Sequence, residues 1–143
     1  MAEQNPSRPA CLIAVFARDN RFTQTGLDLF GIFSEVAFEG EPPASGVFRR
    51  SMRLYVYMSN LSIGEHTITV GQAGPRVQPL FGSKFIVKVE DNGYFLAVLE
   101  DNWPVAFKPL RPSDKSLVNV YPINVDNRRI GEVHLRAILI PES

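Results

Sequence analysis

Apolar and polar residues along this chain either alternate one by one or run apolar for a few positions. Nowhere do they recur with the spacing of a helix face over a window of roughly 11–18 residues. Short alternating segments closed by Gly, Pro, Asn or Asp predict strands instead. Residues 10–17 are apolar on both faces, which predicts a central strand, with Asp19-Asn20 as its turn. Residues 26–39 read as the next strand, with Phe30, Ile32, Val36 and Phe38 on one face and Ser34 interrupting it. Gly31 inside that strand predicts a bulge or a close backbone approach. A loop with Pro42 and Pro43 follows.

Residues 47–61 predict one long strand. Phe48, Met52, Leu54, Val56 and Met58 share a face that Arg50 breaks, and Arg49, Ser51, Arg53, Tyr55, Tyr57 and Ser59 make the other. Ile63-Gly64 turns the chain into residues 65–73, where His66, Ile68 and Val70 alternate with Thr67 and Thr69, and Gly74-Pro75 turns it again. The strongest local signal is Asp91-Asn92-Gly93, which predicts a hairpin between residues 84–90 and 94–100, since Asn-Gly tolerates the positive φ of a tight turn. A two-residue turn would set Val87 and Val89 beside Val98 and Leu96. A three-residue turn would set them beside Ala97 and Phe95, and the apolar run Phe95–Leu99 leaves both registers open. After Asp101-Asn102, residues 103–107 form a short strand and a proline-marked loop runs to Lys115. Residues 117–125 and 129–140 form a last hairpin, turning at Asp126-Asn127.

Eight or nine short strands predict an all-β fold, an antiparallel β-sandwich of immunoglobulin-like or jelly-roll-like kind, with a closed barrel the less favoured alternative. At 143 residues one domain is expected, residues 10–143, behind a flexible tail at residues 1–9. Charge adds little to that picture. Fifteen basic residues balance fifteen acidic ones, so no overall field draws the chain to nucleic acid or to an anionic membrane. The single cysteine, Cys11, excludes an internal disulfide and fits a reducing compartment. No basic leader precedes the apolar run of residues 11–16, which is too short for a membrane span. A cytoplasmic location is expected, with a virion as the alternative.

Candidate chemistry is sparse. Cys11, His66 and His134 are the only Cys and His residues and no two lie at ligand spacing, so no metal and no cofactor is expected. There is no Gly-x-Ser-x-Gly elbow, and Gly82-Ser83-Lys84 lacks the glycine spacing of a phosphate loop and reads as a turn. A Ser-His-Asp constellation gathered from distant residues stays open, although His66 on the face of Ile68 and Val70 reads as a packing residue. Four Asp-Asn pairs, at 19-20, 91-92, 101-102 and 126-127, suit turns better than calcium, because Asp91 and Asp101 flank one strand and cannot converge. The best ligand-binding candidate is the strand face carrying Arg49, Arg53, Tyr55 and Tyr57, since guanidinium and phenol groups together suit phosphates, bases and sugars.

The opening strand, Leu27-Asp28-Leu29-Phe30-Gly31-Ile32-Phe33, Pro42-Pro43 and Gly64-Glu65-His66-Thr67 resemble an uncharacterised group of short bacterial all-β proteins over residues 10–73. That resemblance implies a sandwich-like fold, no assigned activity and no catalytic residue. The residues themselves favour a non-enzymatic binding or assembly module, with a virion or assembly subunit and a small-ligand-binding barrel as alternatives. Strands apolar on both faces call for a second cover, which self-association or a protein partner would supply. Ile138 and Ile140 on the final strand are the expected interface.

Overall fold

The computed structural model of the chain describes residues 9–24, 26–40, 46–71, 83–91, 93–107 and 116–140. Residues 1–8 of the tail expected over residues 1–9, the Pro42-Pro43 loop, the Gly74-Pro75 turn, Gly82, Asn92 and the loop at 108–115 lie outside these residues. Among the described residues ten strands form: β1 (Ala10–Ala17), β2 (Asp19–Thr23), β3 (Gly26–Phe30), β4 (Glu35–Glu39), β5 (Val47–Leu61), β6 (Gly64–Val70), β7 (Ser83–Val89), β8 (Gly93–Ala106), β9 (Ser116–Val125) and β10 (Arg128–Ile140). They make a three-stranded sheet in the order β1-β5-β8, a five-stranded sheet in the order β4-β10-β9-β6-β7, and a small β2-β3 ribbon. The architecture is a curled, incompletely closed sandwich, all-β as the alternation predicted. One ladder departs from the antiparallel rule: β4 runs parallel to β10.

From Met52 to Met58 the even positions of β5 face inward, and Met52, Leu54, Val56 and Met58 are buried with β10 residues Leu135 and Ala137. At the centre Phe16, Trp103 and Tyr121 meet edge to face, with ring centroids 5.6–6.1 Å apart. Each polar ring atom there is satisfied. Trp103 Nε1 donates to the Met52 carbonyl at 2.8 Å, and the Tyr121 hydroxyl donates to the Pro104 carbonyl at 2.8 Å. Burial pushes the Tyr121 phenol well above its ordinary pKa, which keeps it a neutral donor. Asn119, fully buried, accepts from Ala106 N at 2.7 Å and donates to Ala106 O at 3.0 Å, so a β9 side chain stitches the outer edge of β8 to the other sheet.

The hairpin pairing expected between residues 84–90 and 94–100 is not formed, which corrects the strongest local expectation. β7 pairs with β6, β8 pairs with β5, and the two strands lie in different sheets. β7 ends at Val89 in one sheet and β8 begins at Gly93 in the other. Ser62 and Ile63 make the same crossing from β5 to β6. The β5/β8 ladder therefore turns a corner into the β6/β7 ladder, with Leu61 opposite Gly93 just before it and Gly64 opposite Val89 just after. Three positive-φ residues sit at this corner: Asn60 (62°) in the bulge between Ser59 and Leu61, Gly64 (129°) and Gly93 (112°). A long ladder of matched strands outweighs one favourable turn dipeptide.

Two further readings change. Residues 26–39 are two strands, because Gly31 takes φ 64° and ends β3 before β4 joins β10. An added Cβ on Gly31 would stand 3.1 Å from the Arg18 stem, so the predicted close approach is real. Asp101-Asn102 lies inside β8 and Asp19-Asn20 opens β2, so neither pair is a turn between strands. Asp126-Asn127 does turn the chain, with φ 47° and 68°, the two positive values of a tight I′ hairpin.

Candidate binding surface

The outer face of the three-stranded sheet is built in rows by register. Ile13, Tyr57 and Leu96 lie side by side, then Val15, Tyr55 and Val98, then Ala17, Arg53 and Glu100. At one end the face is open: Ile13 is 54% exposed, Tyr57 36% and Tyr94 67%, and Val98 of the next row is 42% exposed. The Tyr57 and Tyr94 rings stack at 5.6 Å and 15°. Leu12, the extra residue of a bulge between Cys11 and Ile13, adds a further half-exposed apolar side chain.

At the other end the same face is covered or charged. Tyr55 is 1% exposed, and its hydroxyl donates to Asn20 Oδ1 in β2 at 2.8 Å. Arg53 lies between Glu100 at 3.6 Å and Asp19 at 3.7 Å, and Arg49 Nη1 donates to the Asn102 carbonyl at 3.1 Å. Of the four residues expected to bind a ligand, Arg49 and Tyr57 are exposed, Arg53 is half-buried and Tyr55 is buried. The four do not form one stacking platform. Alternation correctly put them on one face, but it carried no signal that β2 would close over Tyr55.

Ile138 and Ile140 lie on the outer face of the five-stranded sheet. Ile138 is half-buried between Ala37 and Ser116, and Ile140 is 47% exposed beside Glu39. Arg136 and Glu35, 4.0 Å apart, border them. β10 already has β4 on one side and β9 on the other through Ile138, so it offers no open ladder to a partner strand. The doubly apolar segments of β1 and β8, by contrast, flank β5 and merge into the open row.

Beyond Arg53 a cleft of about 550 Å³ opens between the end of β1, β4 and β5. Phe33, Val36 and Met52 line it with Arg18, Arg50, Glu35 and Glu100.

Sequence reasoning also missed the partners of His66. This buried ring has Nδ1 2.6 Å from Asp126 Oδ2 and Nε2 2.7 Å from the Ser62 carbonyl, with Ser62 Oγ at 3.4 Å. Asp126 Oδ2 and the Ser62 carbonyl are both acceptors, an arrangement that favours the imidazolium form of the ring. Hydrogen bonds to Asp126 first and to Ser62 second hold its pKa above the ordinary value, against burial. Asp126 is pulled upward by burial, but the Thr67 N–H at 3.0 Å and His66 outweigh that and hold it below the usual carboxylate range. A triad base must offer Nε2 as an acceptor to the serine hydroxyl; here the carbonyl occupies it. The arrangement is a latch between the β5–β6 corner and the β9–β10 turn. Only the need of a buried histidine for partners hinted at it, because Asp126 is 60 residues away in sequence.

Burial raises the Cys11 thiol pKa, so the thiolate is disfavoured. Among the described residues no three His, Cys, Asp or Glu converge as metal ligands, and no helix is long and apolar enough to cross a membrane. No family model matches the chain, and no curated protein is similar to it.

Proposed function

We propose that this protein is a non-enzymatic assembly module that pairs with a second copy of itself across the open end of the three-stranded sheet. The supporting observation is the continuous apolar row Ile13-Tyr57-Leu96 with Tyr94, Val98 and Leu12 around it, five of these six residues being 36–67% exposed. Such side chains offer on the order of 400–500 Å² of apolar surface. A standard interface buries about 800 Å² on each partner, a little over half of it apolar. The patch therefore matches the apolar centre of one interface.

A second copy is the favoured occupant for two reasons. The patch is uncharged and can oppose itself across a two-fold axis, so that the Tyr57-Tyr94 stack of one copy meets the aliphatic row of the other. The chain also carries no net charge, so copies do not repel one another at long range. The test is Ile13→Asp combined with Tyr94→Asp, two exposed positions where a carboxylate leaves the monomer fold intact. Light scattering at tens of micromolar should give a dimer for the wild type and a folded monomer for the variant. A monomeric wild type, or a variant that stays dimeric, overturns the proposal.

A further inference from the structure

We infer that the cleft between β1, β4 and β5 is a binding site for a small organic anion, a carboxylate or phosphate borne on a flat apolar group. Independently of the sheet face, three arginines and two glutamates line it, and their pairing is unequal. Glu100 is engaged by Arg53 at 3.6 Å, and Glu35 lies 4.0 Å from Arg136. Among the described residues, no ion pair occupies Arg18 or Arg50. The cleft thus has two arginines whose charge no described carboxylate neutralises, and a guanidinium fork fits a carboxylate or phosphate with two parallel hydrogen bonds.

Both arginines are held by their surroundings before any ligand arrives. The Arg18 stem lies against the Cα of Gly31, where a Cβ would come within 3.1 Å of it, so only glycine leaves room for that course. Arg18 N also donates to the Phe30 carbonyl at 3.0 Å, fixing where the stem starts. Arg50 rests over the Phe38 ring at 5.6 Å and places Nη1 3.4 Å from the Ala37 carbonyl. Holding the donors in place lowers the ordering cost of binding.

The apolar part of the ligand follows from the lining. Phe33 faces the cleft with its ring backed by Phe16 at 5.9 Å and 22°, and Val36 and Met52 extend that surface. A volume of about 550 Å³ suits a molecule of one or two rings. Polyanions are disfavoured, because Glu35 and Glu100 would repel successive phosphates and the chain has no net positive charge.

Phenyl phosphate, benzoate and inorganic phosphate, each titrated into the full chain and followed by amide NMR shifts, provide the test. Phenyl phosphate and benzoate should shift Arg18, Phe33 and Arg50 saturably, with phenyl phosphate at least tenfold tighter than inorganic phosphate. Arg18→Gln, an exposed position that leaves the core untouched, should weaken phenyl phosphate at least fivefold, and Phe33→Leu should erase its advantage over inorganic phosphate. No saturable shift up to millimolar probe overturns the inference. So does undiminished binding in Arg18→Gln, or shifts mapping to the Tyr57-Tyr94 face.

Discussion

Tyr55 and Tyr57 stand two residues apart on β5 and point to the same side of the same sheet, yet one is 1% exposed and the other 36%. Tyr55 lies where β2 folds back over the sheet and supplies Asn20 as an acceptor; Tyr57 lies beyond its reach, beside Ile13 and Tyr94. The closed end has an intramolecular cover for its apolar surface, and the open end has none among the described residues. Identical side chains on one face of one strand thus end in opposite surroundings, packed at one end and open at the other. What decides is the topology of a separate ribbon.

The largest expected effect is the split between these two tyrosines. Tyr55→Ala leaves a buried cavity and should cost about 3–4 kcal/mol in urea unfolding, whereas Tyr57→Ala should cost about 1 kcal/mol or less in the monomer and instead weaken dimer formation. Equal losses of stability at the two positions would collapse the distinction between the ends.

A smaller effect concerns the corner that closes β5 beside the open end, where His66 and Asp126 form the latch. The raised His66 pKa contributes stability fully present below about pH 6.5 and lost as pH rises through the folded-state value. The lowered Asp126 pKa contributes stability present above about pH 4 and lost as pH falls through its folded value. The latch is therefore strongest between roughly pH 4 and 6.5. Asp126→Asn keeps a residue suited to φ 47° and should cost about 1 kcal/mol in that window. Its melting curve should converge on the wild type in alkali. A constant deficit at every pH would show that charge is not what holds the corner.

The smallest effect belongs to the charged end of the face. Arg53→Ala removes exposed ion pairs to Asp19 and Glu100, and thermal melts should not separate it from the wild type. A marked loss there would mean that the β2-β3 ribbon is held by charge more than by Tyr55.

Local pattern carried a good part of this architecture. The two faces of β5, the β9–β10 hairpin at Asp126-Asn127 and the inward row Val133, Leu135 and Ala137 are all readable from period-two alternation and a turn dipeptide. What stayed illegible depends on which strand each strand chooses. Residues 84–90 and 94–100 flank an attractive turn, but β5 is long enough to pair with all of β8, and that choice sends β7 to the other sheet. Likewise Ile138 and Ile140 alternate as an interface should, but Glu35 and Glu39 arrive beside them only through the parallel β4–β10 pairing. Doubly apolar β1 and β8 did signal a missing cover; their meeting on one face across β5 needed the register.

The most direct test of the open end as the self-association surface is an isotope-filtered NOE experiment on a dimer mixed from labelled and unlabelled copies. The account predicts intermolecular contacts from the Tyr57 and Tyr94 rings of one copy to the Ile13, Leu96 and Val98 methyls of the other. Intermolecular contacts confined to Ile138 and Ile140, or none at a concentration well above the dimer's dissociation constant, would contradict it.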